Sequence, residues 1–196
     1  MTDTAVITPE TLPRPPGDLW VFGYGSLMWR PDLPLVESAP ARIFGYHRAL
    51  CLLSINYRGT QARPGLVCGL KRGGACRGMA LRVAEKDAPA ALGALWKREM
   101  VTNAYRPTWL SGHLVDGRRQ KLLAFVSDPA HDQYAGGLDD DAVVRLVLQG
   151  RGQVGHCLEY LENTLDHLDE MGIHDRNLAR IVDKARRAKQ RGVRSK

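Results

Sequence analysis

Apolar and polar positions along the chain change period several times, and each change marks an element. Leu19-Trp-Val-Phe-Gly23 is aromatic or aliphatic on both faces, which predicts a strand covered on both sides. "RIFGYHRALCLL" (42–53) and "GLVCGLKRGGACRGMALRV" (65–83) read as further strands with glycine-marked turns, and "SINYRGTQARPG" (54–65) as a polar loop between them. In 108–127 the Asp116-Gly117 pair separates two β-like runs, the pattern of a hairpin. Spacings of three and four take over in three regions. One helix follows Asp87, an expected N-cap with Pro89 in the opening turn, and runs to about Met100. A second starts near Asp139-Asp140-Asp141 and yields to Gly150. The series Val154, Leu158, Leu161, Leu165, Leu168 ends at Gly172, and Leu178, Ile181, Val182, Ala185 follow. Strands with an interposed helix, closed by C-terminal helices, predict an α+β domain with a curved, largely antiparallel sheet or a small barrel.

Composition narrows the setting. The 196 residues, 44% hydrophobic, suffice for one globular domain with its own core. Prolines at 9, 13, 15 and 16 make residues 1–18 an extended arm outside that domain. There is no apolar run of membrane-spanning length and no signal-peptide pattern, so neither a membrane nor export is expected. Cys51, Cys68, Cys76 and Cys157 are irregularly spaced, without Cys-x-x-Cys. Buried thiols in a reducing cytoplasm are expected, with no metal site. The net charge of +7 is local: residues 184–196 hold seven Lys or Arg and no acid, which leaves 21 residues of each sign in 1–183. A basic tail without interleaved aromatics reads as a solvated helix end or extension, so nucleic acid is not an expected partner. No apolar patch that would mark an interface is visible in the pattern.

Candidate chemistry sits at two places. After the first strand, Gly23 and Gly25 flank Tyr24 and precede Ser26, a loop able to turn its N–H groups onto a small anion or to make an ordinary turn. Met28 stands where a dinucleotide-binding Gly-x-Gly-x-x-Gly would need its third glycine, and Gly-Tyr-Gly-Ser-Leu is not the Gly-x-Ser-x-Gly of a serine hydrolase. On the helix after Asp87, Leu92, Leu95 and Trp96 define an apolar face whose next member is Glu99. An ionised carboxylate there is paired with a cation such as Arg98, Arg106 or Arg48, has its pKa raised, or lines a pocket, unless the last turn frays and lets it reach water or an ion pair. An anion-accepting loop with an inward carboxylate suits acid–base chemistry on a small anionic substrate.

The blocks "VFGYGSLMW", "GYHRA", "YRGTQARPG", "CRGMALRV", "KREMVTNAYRP", "QYAG" and "YLENTLDHLDEMGIHD" occur in the order seen in the ChaC-type γ-glutamylcyclotransferases, which residues 19–182 resemble. The resemblance implies a γ-glutamylcyclotransferase-like fold, a small mixed β-barrel with flanking helices spanning about residues 19–183. It also implies a carbon–nitrogen lyase that cleaves glutathione to 5-oxoproline and cysteinylglycine without a cofactor. Residue by residue, it places the γ-glutamyl group on Val21, Phe22, Gly23, Tyr24, Gly25, Ser26 and Leu27, makes Glu99 the catalytic carboxylate, and adds Tyr160 from the "EYL" segment as a substrate contact. His156-Cys157 departs from the family pattern, where a polar residue such as Asn is common. Two alternatives stand beside this reading: a cyclotransferase for other γ-glutamyl compounds, and a non-catalytic binding or regulatory module such as an accessory to cation transport.

Overall fold

The structure is a computed structural model that describes residues 7–194, with side chains through residue 191. Among the described residues seven strands and four α-helices follow one another as β1 (Leu19–Gly23), β2 (Leu35–Ser54), β3 (Gly65–Val83), α1 (Ala88–Glu99), β4 (Tyr105–Leu114), β5 (Arg119–Ser127), α2 (Asp140–Gln149), β6 (Arg151–Gly152), β7 (Gly155–His156), α3 (Cys157–Glu170) and α4 (Arg176–Arg194). The first five strands close a barrel in the order β1-β3-β2-β4-β5, and β6 and β7 form a separate two-stranded ribbon. β1 lies antiparallel to β3, with Leu19 opposite Val83 and Gly23 opposite Met79. It meets β5 in parallel at Val21 and Leu123. Leu19 and Val21 pack in a core with α1, and with the alternate residues Trp20 and Phe22 also buried every residue of β1 is covered, which suits its unbroken apolar run.

Contacts divide the chain into two compact units, one built from the residues up to Tyr46 with Gly73–Val126, the other from His47–Arg72 and the residues from Ser127 onward. In the first, Leu19, Val21, Leu81, Val83, Leu123 and Phe125 form a core onto which α1 packs Ala88, Ala91, Leu92 and Leu95. Glu99 follows Leu95 by four residues, so it lies on the same helical face. In the second, α2, α3 and α4 pack on one another. α3 is tied to β3 at Cys157, whose Sγ donates to the Leu66 carbonyl at 2.9 Å and accepts from the Leu66 N–H at 3.3 Å. A buried ion pair between Arg48 and Asp175 (3.0 Å) reaches the start of α4, where Asp175 also accepts from the Leu178 N–H.

Several expectations are corrected. The described part of the arm is not outside the domain: Leu12 enters the core, Trp109 Nε1 donates to the Pro13 carbonyl at 2.7 Å, and Trp96 Nε1 donates to the Ile7 carbonyl at 3.3 Å. Proline-rich chain makes few hydrogen bonds of its own, but its carbonyls suit exposed indole donors. Residues 1–6 lie outside the described residues. The tail is a continuation of α4. Ala185 is fully buried, Lys184 pairs with Asp140 (2.6 Å) and Arg186 with Glu162 (2.7 Å); only 195–196 lie outside the description. β2 begins at Leu35 rather than Arg42, because Pro40 is no obstacle there: its carbonyl accepts from the Val115 N–H at 3.0 Å. Asp87 does not cap α1, since its own backbone is already helical (φ −96°, ψ −7°). Asp139 does cap α2, accepting from the Ala142 N–H at 2.8 Å. α3 starts at Cys157, three residues after Val154, which stays half exposed in the turn between β6 and β7.

Gly78 lets β3 pass close behind β1. A Cβ there would lie 2.2 Å from the Gly23 carbonyl oxygen and 2.9 Å from Phe22 Cζ. Gly78→Ala is expected to push β1 outward and cost about 2 kcal/mol, as overpacking against backbone does. A urea midpoint that falls with an unchanged slope checks this.

Candidate active site

The turn after β1 is compact. Ser26–Met28 form a single 3-10 turn, closed by Met28 N–H to the Gly25 carbonyl (2.9 Å) and Arg30 N–H to the Ser26 carbonyl (2.8 Å). A Cβ on Gly23 would sit 3.3 Å from Leu27 C and Met28 N, tighter than the turn accommodates without shifting. The N–H groups of Ser26 and Leu27 open the turn, where the i to i+3 pattern provides them no partner, so they are suited to an anion.

The predicted loop residues divide by burial. Val21 and Phe22 are fully buried in the core. Tyr24 is buried too, its hydroxyl donating to the Phe125 carbonyl at 2.8 Å and its ring stacked 6.4 Å from that of Phe22. Leu27 points into the core. Among these loop residues Gly25 and Ser26 are the ones that stay partly exposed. The aromatic and aliphatic members are the footing of the loop.

Glu99 ends α1 with its side chain 16% exposed. Its Oε1 lies 3.1 Å from Arg98 Nε, an ion pair. Burial nevertheless pushes the carboxyl above the ordinary carboxylate range, against the opposing pull of the Arg98 charge and hydrogen bond. Two of the readings of the inward carboxylate therefore hold at once: it is paired, and burial raises its pKa. Among the cations named in advance, Arg98 is the partner found, while Arg48 serves Asp175 in the other unit.

Sequence reasoning missed how Arg98 serves the loop. Its Nη2 donates to Ser26 Oγ at 2.8 Å, and its Nη1 donates to the Arg30 carbonyl and to Asp32 Oδ2 (3.3 Å). Adjacent helical residues diverge, so no periodicity links Arg98 to what Glu99 faces. The available signal was its place as a long cation beside a buried acid. Thus the structure brings Glu99 and the open end of the Gly23–Leu27 loop onto one guanidinium.

Tyr160 belongs to the second unit. Its hydroxyl accepts from the Cys68 N–H at 3.4 Å, and the Arg58 guanidinium lies 5.4 Å from its ring centroid while donating to the His156 carbonyl at 3.2 Å. Cys157 is packed and fully buried, its thiol pushed up to about 11 by burial. Among the described residues no three His, Cys, Asp or Glu side chains gather as a metal site would need, and no helix is long and apolar enough to cross a membrane.

The closed five-stranded barrel with flanking helices is of the γ-glutamylcyclotransferase-like fold class, as its likeness to a solved structure shows. A crystal structure of the γ-glutamyl cyclotransferase specific to glutathione from yeast superposes with a TM-score of 0.80 over 87% of this chain and 96% of that one, at 20% identity. The model of the family described as ChaC-like protein matches residues 19–188, and the chain belongs to that family. The glutathione-specific γ-glutamylcyclotransferase of Escherichia coli (strain K12) is 39% identical over 162 residues, covering 83% of this chain and 70% of its own length. The glutathione-specific γ-glutamylcyclotransferase 1 of Homo sapiens is 36% identical over 180 residues, covering 87% and 81%.

Proposed function

We propose that the protein cleaves glutathione to 5-oxoproline and cysteinylglycine, with Glu99 as the proton carrier. The observation that carries this reading is a buried carboxylate of raised pKa sharing one guanidinium with the open end of an anion-accepting turn. Membership of a family whose relatives bear that activity in their names supports it. The substrate's α-amine is an ammonium at neutral pH and cannot attack until it loses a proton. Its nitrogen then bonds to the γ-carbonyl carbon, closing a five-membered ring, and the bond from that carbon to the cysteine nitrogen breaks. Two protons leave the α-nitrogen and two arrive at the departing one, so the reaction consumes no water.

A carboxylate at the ordinary value of about 4.3 takes protons poorly, and the burial of Glu99 beside Leu95 brings it nearer the working pH. The N–H groups of the Gly23–Leu27 loop are assigned to the substrate α-carboxylate, holding the flexible chain in its cyclisable form. Tyr160 is assigned to substrate contact on the family pattern. The four free, buried cysteines favour a reducing compartment such as the cytoplasm. Purified protein incubated with glutathione is expected to release 5-oxoproline and a free cysteinylglycine amine in equal amounts, and to act poorly on γ-glutamyl-alanine and γ-glutamyl-lysine. Equal turnover of all three would remove the claim to glutathione specificity, and turnover of none would remove the activity.

A further inference from the structure

We propose that Arg98 is a positioning residue for this reaction: its guanidinium sets the Glu99 carboxylate and the Ser26 hydroxyl in one fixed relation, so that base and substrate loop are registered to each other. The proposal rests on the reading of Glu99 as the base. Three of its nitrogens are engaged, Nε with Glu99 Oε1, Nη2 with Ser26 Oγ, and Nη1 with the Arg30 carbonyl and Asp32 Oδ2. A planar fork with fixed donor directions makes such a three-way registration; a lysine ammonium on a flexible stem does not.

Two chemical consequences follow. Nε lies 3.1 Å from Oε1 of Glu99, and among the described residues Arg98 is the charged group acting on this carboxylate, so the guanidinium fixes the side of the carboxylate on which the cation sits. Ser26 Oγ accepts from Arg98, so the hydroxyl keeps its own proton to donate toward an anion held at the loop. On the far side of the guanidinium Asp32 is 82% exposed, where water screens it. The positive charge also opposes the burial that raises the Glu99 pKa.

Positioning and charge are separable by substitution. In Arg98→Lys the charge remains and the fork is lost; in Arg98→Gln both are lost. Steady-state kinetics with glutathione over a pH series, run on both variants, on Ser26→Ala and on the double variant Arg98→Lys/Ser26→Ala, tests the proposal. Arg98→Lys is expected to raise KM about tenfold with the acid limb of kcat/KM unmoved. Arg98→Gln is expected to raise KM comparably and to move that limb to higher pH, because a carboxylate without its cation holds its proton longer. Adding Arg98→Lys to Ser26→Ala is expected to raise KM little further, since the two changes remove the same contact. A purely structural arginine predicts a lower thermal midpoint with KM and the acid limb as in the wild type, and that result overturns the proposal, as does full additivity of the two KM effects. The base reading is judged separately by Glu99→Gln: retained turnover there overturns that reading and with it the assignment of the acid limb. An inactive Glu99→Gln with Arg98 variants of unchanged KM and limb overturns only the role of Arg98. If Arg98→Gln does not fold, Arg98→Lys and Ser26→Ala still decide the positioning claim.

Discussion

Glu99→Gln is expected to lower glutathione turnover by about a hundredfold or more while glutathione still binds. The amide keeps the shape of the side chain and its acceptor toward Arg98, but it cannot accept the ammonium proton. Folding stability is expected to hold or rise at neutral pH. The usual objection to removing one member of an ion pair is that its partner is left uncompensated. Here Arg98 keeps Ser26, the Arg30 carbonyl and Asp32. The pH dependence has a definite sign. The folded state raises the Glu99 pKa, so between the unfolded value of about 4.5 and the raised value the native protein binds the proton that the unfolded chain has released. Wild-type stability therefore loses ground as pH rises through that window, a loss that Gln at position 99 does not suffer. Thermal midpoints of the two proteins should converge at and below about pH 4.5 and separate toward pH 7, with the variant higher. A variant that is less stable at pH 7 and still turns over glutathione would make Glu99 a structural residue only.

Removing residues 184–196 is expected to destabilise the protein by roughly 4 kcal/mol, enough to lower the thermal midpoint by more than 10 °C. The cut leaves α4 only its first eight residues, too short to persist without its packing. It deletes the fully buried Ala185 and the partners of Asp140 and Glu162 at positions 184 and 186. The ion pairs are exposed and contribute little singly. The larger loss is fraying of the stub, which uncovers Leu178, Ile181 and Val182, each worth about 1.5–3 kcal/mol when buried. A truncated protein that melts like the full chain would return these residues to the status of a solvated extension.

Long elements with a single strong period were legible in the sequence. β1, β3, the β4–β5 hairpin and α2 stand where apolar alternation, Asp116-Gly117 and Asp139 place them. The closed barrel was one of two forms the pattern allowed, because closure is decided by the pairing of β1 with both β3 and β5, and no local run encodes a pairing between Val21 and Leu123, a hundred residues apart. The arm was misread for a related reason. Proline-rich chain has no period, and its docking depends on the indoles of Trp96 and Trp109 far along the sequence. The tail was misread from charge: Lys and Arg dominate its composition, yet Ala185 continues the apolar stripe of α4 and its cations answer acids on α2 and α3. Within the candidate site, Glu99 was visible as a polar residue breaking an apolar face. Arg98 was not, since what matters about it is where the end of a long side chain goes. The split of the loop into buried and partly exposed residues was equally hidden, because Tyr24 is tied to the Phe125 carbonyl on the neighbouring strand β5, a hundred residues along the chain.

The four cysteines are all buried and unbridged, and burial pushes the Cys68 thiol up to about 12 and Cys157 up to about 11. Thiol–disulfide exchange proceeds through the thiolate, which burial of this kind suppresses at neutral pH, before access is counted. A protein proposed to act on a thiol tripeptide thus meets its substrate, and the oxidised form of that substrate, without offering these thiols for a mixed disulfide. In redox terms the fold is a bystander in the glutathione pool it is proposed to consume.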